Sequence, residues 1–143
     1  MCKQCDYGGL LKNCGLAHTP NRLSVLEIIG NSPHPLSAQD VIDRLNRTQE
    51  VNRVTVYRIL DRLVEKKLLE RMSAGDRSFR YGLAPNENHR PHSHFYCIEC
   101  GGMECLSPEC IHLNKESLER SFLGLIERVE VRFDGICENC RRR

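Results

Sequence analysis

The stretch Asn52-Arg53-Val54-Thr55-Val56-Tyr57-Arg58-Ile59-Leu60-Asp61-Arg62-Leu63-Val64 carries the pattern from which the fold is read. Its apolar residues Val56, Ile59, Leu60, Leu63 and Val64 fall at i, i+3, i+4, i+7 and i+8, which places one stripe along an α-helix. Arg53, Arg58, Arg62 and Lys66 take the opposite face. Upstream, Ser37 followed by Asp40 forms a capping-box-like start, and Val41, Ile42 and Leu45 supply the buried face of a preceding helix. Thr19 as N-cap and Pro20 at the first helical position open an earlier one, with Leu23, Leu26 and Ile29 in helical spacing. The run from Gly30 to Pro35 stops it. Residues 10–16 read as a short helix and residues 1–9 as a loose end. After Lys67 the period changes. Leu68 to Met72 reads as a strand, Ser73 to Asp76 as a turn, and Ser78 to Leu83 as a returning strand. Three helices followed by a hairpin predict a winged helix-turn-helix over residues 1–83, with the Asn52 helix as its recognition element.

Residues 84–91 are polar, contain two prolines and read as a hinge. Residues 92–143 read as a second, α/β unit: a strand from His94 to Ile98, a second strand from Met103 to Leu106, a helix from about Pro108 to Arg128, and a strand from Val129 to Phe133. The fold class is therefore α+β. Charge divides along the same line. Residues 1–84 carry a net +4 and residues 85–143 a net −2. Six of nine cysteines and four of six histidines lie in the second part, which gives a basic half and a metal-ligating half. No run of about 18 apolar residues is present, which excludes a transmembrane helix. With no secretory signal pattern, nine thiols point to metal binding or redox chemistry in the cytoplasm and not to a disulfide scaffold.

The strongest chemical signal is Cys97-x-x-Cys100 paired with Cys137-x-x-Cys140. Two such knuckles can close a tetrahedral thiolate shell around a structural zinc ion. Gly101-Gly102 permits a tight turn after the first knuckle. No βαβ context surrounds either pair, which argues against a thioredoxin-like redox role. His92 and His94 are two apart on a predicted strand, so both imidazoles face one side and make half of a second metal site. Cys105 follows on the next strand, His89 lies in the hinge, and His34 precedes the second capped helix. On the basic helix, Arg53, Thr55, Tyr57 and Arg58 stand near the N-terminal end, from which recognition helices read bases and phosphates. Cys2, Cys5 and Cys14 form a possible extra thiol site of metal-binding or redox character.

Thr55-Val56-Tyr57-Arg58, the hairpin ending in Arg80-Tyr81, the string His92-x-His94-x-x-Cys97-x-x-Cys100-Gly101 and the closing Cys137-x-x-Cys140 together resemble the ferric uptake regulator family of bacterial metal-sensing repressors. The resemblance spans about residues 10 to 140. It implies a homodimer with an N-terminal winged-helix domain and a C-terminal dimerisation domain, binding a palindromic DNA operator when a regulatory metal sits at the hinge. It also implies Cys97, Cys100, Cys137 and Cys140 as the structural zinc site, His92 and His94 as regulatory ligands, and Tyr57 and Arg58 as DNA contacts. The chain departs from the family pattern at several points. Cys105 stands where an acidic ligand is usual, and Gly82 stands where an acidic residue usually ends the wing. The hinge is longer than in iron-sensing members, so Glu87 or His89 could supply a missing ligand. His34 lies about one residue from the place of a family histidine. A nitrogen and sulfur donor set favours zinc over iron(II) or manganese(II) as the second metal.

The expected function is a metal-dependent transcriptional repressor of metal-homeostasis genes, with DNA and a second copy of the chain as partners, and neither a membrane nor a small organic substrate. The alternative is a thiol-based redox or peroxide sensor of the same fold, using Cys2, Cys5, Cys14, Cys105 and Cys110. An enzyme is not expected. No His-Glu-x-x-His motif is present, and no His-x-Glu string accompanies the Cys-x-x-Cys pairs, so the general base that zinc hydrolysis needs is missing.

Overall fold

A computed structural model of the chain describes residues 5–86 and 89–143. Four helices come first: α1 (Tyr7–Asn13), α2 (Pro20–Gly30), α3 (Ala38–Leu45) and α4 (Arg53–Glu65). A hairpin follows, β1 (Leu69–Ser73) and β2 (Phe79–Leu83). The second half contains β3 (His94–Cys97), β4 (Met103–Cys105), α5 (Lys115–Ser121), β5 (Arg132–Gly135) and α6 (Glu138–Arg141). The order is the mixed α+β arrangement expected from the sequence.

The helix starts are set by local chemistry. Thr19 accepts the Arg22 amide, and Asn52 accepts the Val54 amide at 2.8 Å. At α3 the capping box is complete: Ser37 accepts from the Asp40 amide, and the Asp40 carboxylate accepts from the Ser37 amide. Each such cap satisfies amides that the helix itself leaves free and contributes about 1 kcal/mol. The helices then converge on one core. Leu11, Leu26, Val41, Leu45, Val56, Leu60 and Leu63 are completely or almost completely buried in it. Burial of each leucine contributes about 1.5–3 kcal/mol. The hairpin joins this core through Leu69, Tyr81 and Leu83, and Tyr81 exchanges two backbone hydrogen bonds with Leu36 in the loop before α3.

The chain start differs from expectation. Residues 7–9 are helical, not loose, because Asp6 caps α1 through the Gly9 amide and Tyr7 is buried against α2. Tyr7 packs on Gly30, where any Cβ would overlap its ring.

The second sheet has the order β4-β3-β5, with β3 antiparallel to β4 and parallel to β5. Here too the sequence reading needs correction. The helix expected from about Pro108 to Arg128 is reduced to one 3-10 turn at Pro108–Cys110 and the two turns of α5. Asn114 caps a new start, and Phe122 turns extended at φ −137°. Residues 121–130 are all exposed, so no packed face stabilises a longer helix within one chain. The last strand begins at Arg132, three residues later than expected, because parallel pairing aligns Phe95 with Phe133 and Cys97 with Gly135.

The two halves meet along the hairpin. Met72 and Ala74 form a second buried cluster with Tyr96 and Met103. Glu130 accepts from the Ser73 amide at 2.9 Å and from its hydroxyl at 3.2 Å. Arg132 donates to the Ser73 carbonyl at 3.0 Å, and Arg128 to the Arg71 carbonyl at 2.6 Å. Gly75 allows Tyr96 to approach: an added Cβ would stand 2.5 Å from its Cε1. Gly75→Ala is therefore expected to lower unfolding free energy by about 1–3 kcal/mol, measured by urea denaturation, with α-helical content unchanged by circular dichroism.

Candidate metal centres and nucleic-acid face

Four thiols come together at the end of the second sheet. β3 ends in Cys97, and the chain reverses through Gly101, whose φ of +74° is a conformation that glycine adopts without strain. The Cys97 amide donates to the Gly102 carbonyl and the Gly101 amide to the Cys97 carbonyl, both at 2.9 Å, so the knuckle is a closed turn. Register does the rest. Gly135 pairs with Cys97, and two residues later Cys137 starts α6, whose single turn places Cys140 beside it. The sulfurs of Cys97, Cys100, Cys137 and Cys140 all lie within 4.8 Å of one another. Cys100 Sγ and Cys137 Sγ are 3.8 Å apart. A regular tetrahedron with zinc–sulfur bonds of about 2.3 Å has an edge of about 3.8 Å.

The electrostatics fit a dication as well. Backbone amides of Cys100, Cys137 and Glu99 pull the Cys97 thiol down to about 6. The Cys137 amide donates to Cys97 Sγ at 3.3 Å. Cys140 goes the other way, pushed up to about 12 by hydrogen bonding with the neighbouring thiols and by burial. Thiols this close cannot all ionise unless a cation joins them, and zinc(II) is the ion that such a set holds best.

A second set of donors lies at the opposite end of β3. His94 faces Cys105 across the β3–β4 ladder, and His92 stands two residues earlier on the same side. Donor atoms of His92, His94 and Cys105 also lie within 4.8 Å of one another. The imidazole rings of His92 and His94 are 4.7 Å apart, and the His89 ring is 5.2 Å from that of His92. His92 Nδ1 is 3.0 Å from the Arg90 carbonyl, which fixes the proton there and leaves the lone pair on Nε2. That Nε2 is buried with no hydrogen-bond partner among the described residues. An orphaned buried acceptor beside another imidazole and a thiol is what a metal ligand presents before its ion is counted. Burial pushes His94 down to about 4, and burial together with His92 lowers His89, so both rings are neutral and able to donate a lone pair. Cys105 is exposed as a residue, but its thiol turns into the cleft, and burial there pushes it up.

These donors open into a cavity of about 30 Å³ between the two halves. Its far wall is formed by the end of α2, the loop carrying His34, and the hairpin at Glu70 and Gly82. His34 is exposed and lies across the cavity from the three-donor cluster. Glu87 and Cys2 lie outside the described residues. Cys5 and Cys14 pack against the edge of the main core, and neither belongs to a cluster of three potential ligands among the described residues.

The four polar residues singled out on α4 share its N-terminal half. Tyr57 is 38% exposed, so it is not a core residue, and the Arg53 guanidinium lies 5.6 Å from its ring centroid. Arg53 also donates to the side-chain oxygen of Gln39 on α3. Thr55 and Arg58 line a surface groove together with Arg62 and with Arg22 of α2. Arg22 was not among the residues chosen from the sequence, because its proximity to Arg58 depends on how α2 crosses α4. Glu70 was missed in the same way: it lies in a predicted strand 22 residues before His92 and joins the cavity only through packing.

The profile of the ferric uptake regulator family matches residues 13–129. The chain belongs to the ferric uptake regulator family. The match covers α2–α4, the hairpin, the cavity donors and the first knuckle, and the family comprises metal-responsive transcription regulators. A ferric uptake regulation protein of Bacillus subtilis is 31% identical over 124 residues, which cover 85% of this chain and 83% of the relative. The fold is shared with the ferric uptake regulator of Helicobacter pylori, at a TM-score of 0.78 and 20% identity, over 99% of this chain and 97% of that one. It is also shared with a zinc uptake regulator complexed with zinc and DNA, at a TM-score of 0.66 and 23% identity, over 94% of this chain and 89% of that one. Among the described residues, no helix is long and apolar enough to cross a membrane.

Two outcomes follow for this family member. Cys140→Ser removes one of the four clustered thiols, so the metal retained by the purified protein should fall and stability should drop by several kcal/mol, read by metal analysis and thermal melts. The second concerns protons. An unfolded histidine binds its proton near pH 6.5, whereas folded His94 binds it only near 4. Between these values the unfolded chain holds more protons, so the stability of the metal-free protein should fall as pH drops from about 6.5 to about 4 and then level off. The loss is at most about 3 kcal/mol. His94→Gln should flatten that part of a pH series of denaturation curves.

Proposed function

We propose that this chain is a metal-dependent transcriptional repressor of metal-homeostasis genes, acting as a homodimer on a palindromic operator. Residues 1–83 form the winged-helix DNA-binding unit, 84–91 the hinge, and 92–143 the metal-binding dimerisation unit. One observation carries this reading: His92, His94 and Cys105 converge on a cavity whose other wall belongs to the half that bears α4. A ligand held there can bias how the two halves sit, and so where α4 points. It shifts that equilibrium only as far as it prefers one arrangement over the other.

A bound dication would supply the charge that lets a thiolate and imidazoles share one point. His92 is oriented by the Arg90 carbonyl, His94 by its place in the sheet, and Cys105 loses its proton on binding. The sulfur donor favours zinc over iron(II) or manganese(II) as the regulatory metal. The thiol shell at Cys97, Cys100, Cys137 and Cys140 is assigned a separate, structural zinc. On α4, Arg53, Thr55, Tyr57 and Arg58 face the major groove, with Arg22 and Arg62 placed for phosphate. Leu123, Leu125 and Phe133 are exposed apolar residues of the second half, which a second copy would cover. The thiol-oxidation reading is disfavoured at Cys105, because a thiol whose proton is held more tightly is less reactive toward peroxide.

The test is DNA binding by fluorescence anisotropy, using duplexes selected by the protein from a random pool, with zinc added or chelated. Binding should require the more weakly held metal and survive mild oxidant. Binding indifferent to metal but lost on oxidation would install the redox sensor instead. Arg58→Ala should weaken binding to the selected duplex by about 1–3 kcal/mol without changing zinc content.

A further inference from the structure

Two sets of hydrogen bonds join the hairpin to the second half. At the end of β1, Ser73 is held by Glu130 and Arg132, and the Arg71 carbonyl by Arg128. The other set is a single contact. Arg80, on β2, donates from its guanidinium to the Gly101 carbonyl at 3.4 Å. Among the described residues, no other hairpin side chain hydrogen-bonds the first thiol knuckle. The acceptor lies in the middle of that knuckle. The Gly101 amide donates to the Cys97 carbonyl, and the Cys97 amide donates to the Gly102 carbonyl. A Cβ added at Gly102 would stand 3.4 Å from Cys100 Sγ. The Gly101-Gly102 peptide is thus bonded to one thiol residue of the shell and packed on the sulfur of another.

We propose that Arg80 is the positioning residue through which the thiol shell holds the hairpin, and that its charge stabilises the metal-filled shell in return. The inference rests on the reading of Cys97, Cys100, Cys137 and Cys140 as a structural zinc site. Charge supports it. The Arg80 side chain is only 13% exposed, and a guanidinium does not shed its proton to escape burial. Its other partners are the Ser78 hydroxyl, the Phe79 carbonyl and, at 3.5 Å, the Asp76 carboxylate. The Asp76 side chain is 47% exposed, so water screens much of its charge. Four thiolates outweigh the two positive charges of a zinc ion, so a filled shell is an anion. A poorly hydrated cation bonded to the knuckle peptide lowers the energy of that anion and is itself better balanced when the shell is filled. β1 follows α4 after three residues. The tightly held metal therefore does more than pin the chain end: it sets where the hairpin lies beside the DNA-binding half. By linkage, the bond that lets the metal hold the hairpin also lets the hairpin hold the metal.

The experiment is an equilibrium competition for the tightly held zinc between full-length reduced protein and a strong chelator, with hydrogen–deuterium exchange at β2 measured on the zinc-filled protein. Wild type, Arg80→Met, Arg80→Lys, Asp76→Asn and Cys140→Ser are compared, and thermal melts confirm that each is folded. Arg80→Met keeps the aliphatic stem and removes charge and donors. It is expected to weaken the zinc about tenfold and to speed exchange at β2. Arg80→Lys should recover part of the affinity, because it keeps the charge but offers no planar fork. Asp76→Asn should not weaken the zinc, since it loosens the turn and leaves the cation in place. If Arg80→Met matches wild type in zinc affinity or in β2 exchange while Cys140→Ser loses the zinc, the proposal is wrong and the thiol shell stands. If Asp76→Asn weakens the zinc as much as Arg80→Met, a disordered turn explains both and Arg80 has no role of its own. If Arg80→Met does not fold, Arg80→Lys decides: zinc affinity equal to wild type supports a charge effect, and affinity as low as that of Cys140→Ser overturns it. If Cys140→Ser holds zinc as tightly as wild type, the reading of the thiol shell itself falls.

Discussion

Strand β3 is only four residues long, yet it pairs on both edges, antiparallel with β4 and parallel with β5. That double pairing is the constraint on which the rest of the second half depends. At one end it brings Cys97 against Gly135 and so delivers Cys137 and Cys140 to the first knuckle. At the other it sets His94 against Cys105. Antiparallel partners lie about 5 Å apart, and a one-residue slip would turn every side chain to the opposite face. The same slip would break both donor sets at once. The parallel partner has no hairpin to fix its register, so a metal shared by the two knuckles is well placed to hold it.

Both donor sets confront the same physical problem, a cluster of groups that bind protons or a cation but cannot all be charged alone. The two clusters resolve it differently. In the thiol cluster, backbone amides favour a thiolate at Cys97 while neighbouring sulfurs oppose ionisation at Cys140. That suits an ion that stays. In the histidine cluster, burial keeps the His94 imidazole neutral and the Cys105 thiol protonated. There the polar atoms sit at the mouth of a cavity with an orphaned nitrogen, which suits an ion that comes and goes. The seam between the halves completes the arrangement. Ser73 is held by Glu130 and Arg132, and Tyr96 packs over Gly75, so the hairpin is anchored near its turn while its cavity side remains open.

Much of this was legible in the sequence where the cause is local. Thr19-Pro20, Ser37 with Asp40, and the stripe from Val56 to Val64 each name a helix, because caps and 3.6-residue periodicity are properties of neighbours along the chain. The two Cys-x-x-Cys pairs and His92-x-His94 are legible for the same reason. The helix expected over 108–128 failed because its apolar residues have no partner within one chain, and periodicity alone cannot supply one. The strand start at Arg132 was misplaced because parallel register is decided by the partner strand. Tyr7 was passed over because the residues around it carry no pattern, and its burial comes from a glycine 23 positions later.

The sequence by itself determined the element order, the two donor motifs and the family, since these depend on residue type and short spacing. Tertiary structure alone decided that Cys105 meets His94, that Arg22 joins Arg58, and that Glu70 shares a cavity with three donors from the other half. The physical reason is that a binding site is defined by distances of a few ångströms between side chains far apart in the chain. Those distances are fixed by strand register and helix crossing, which short-range pattern does not encode.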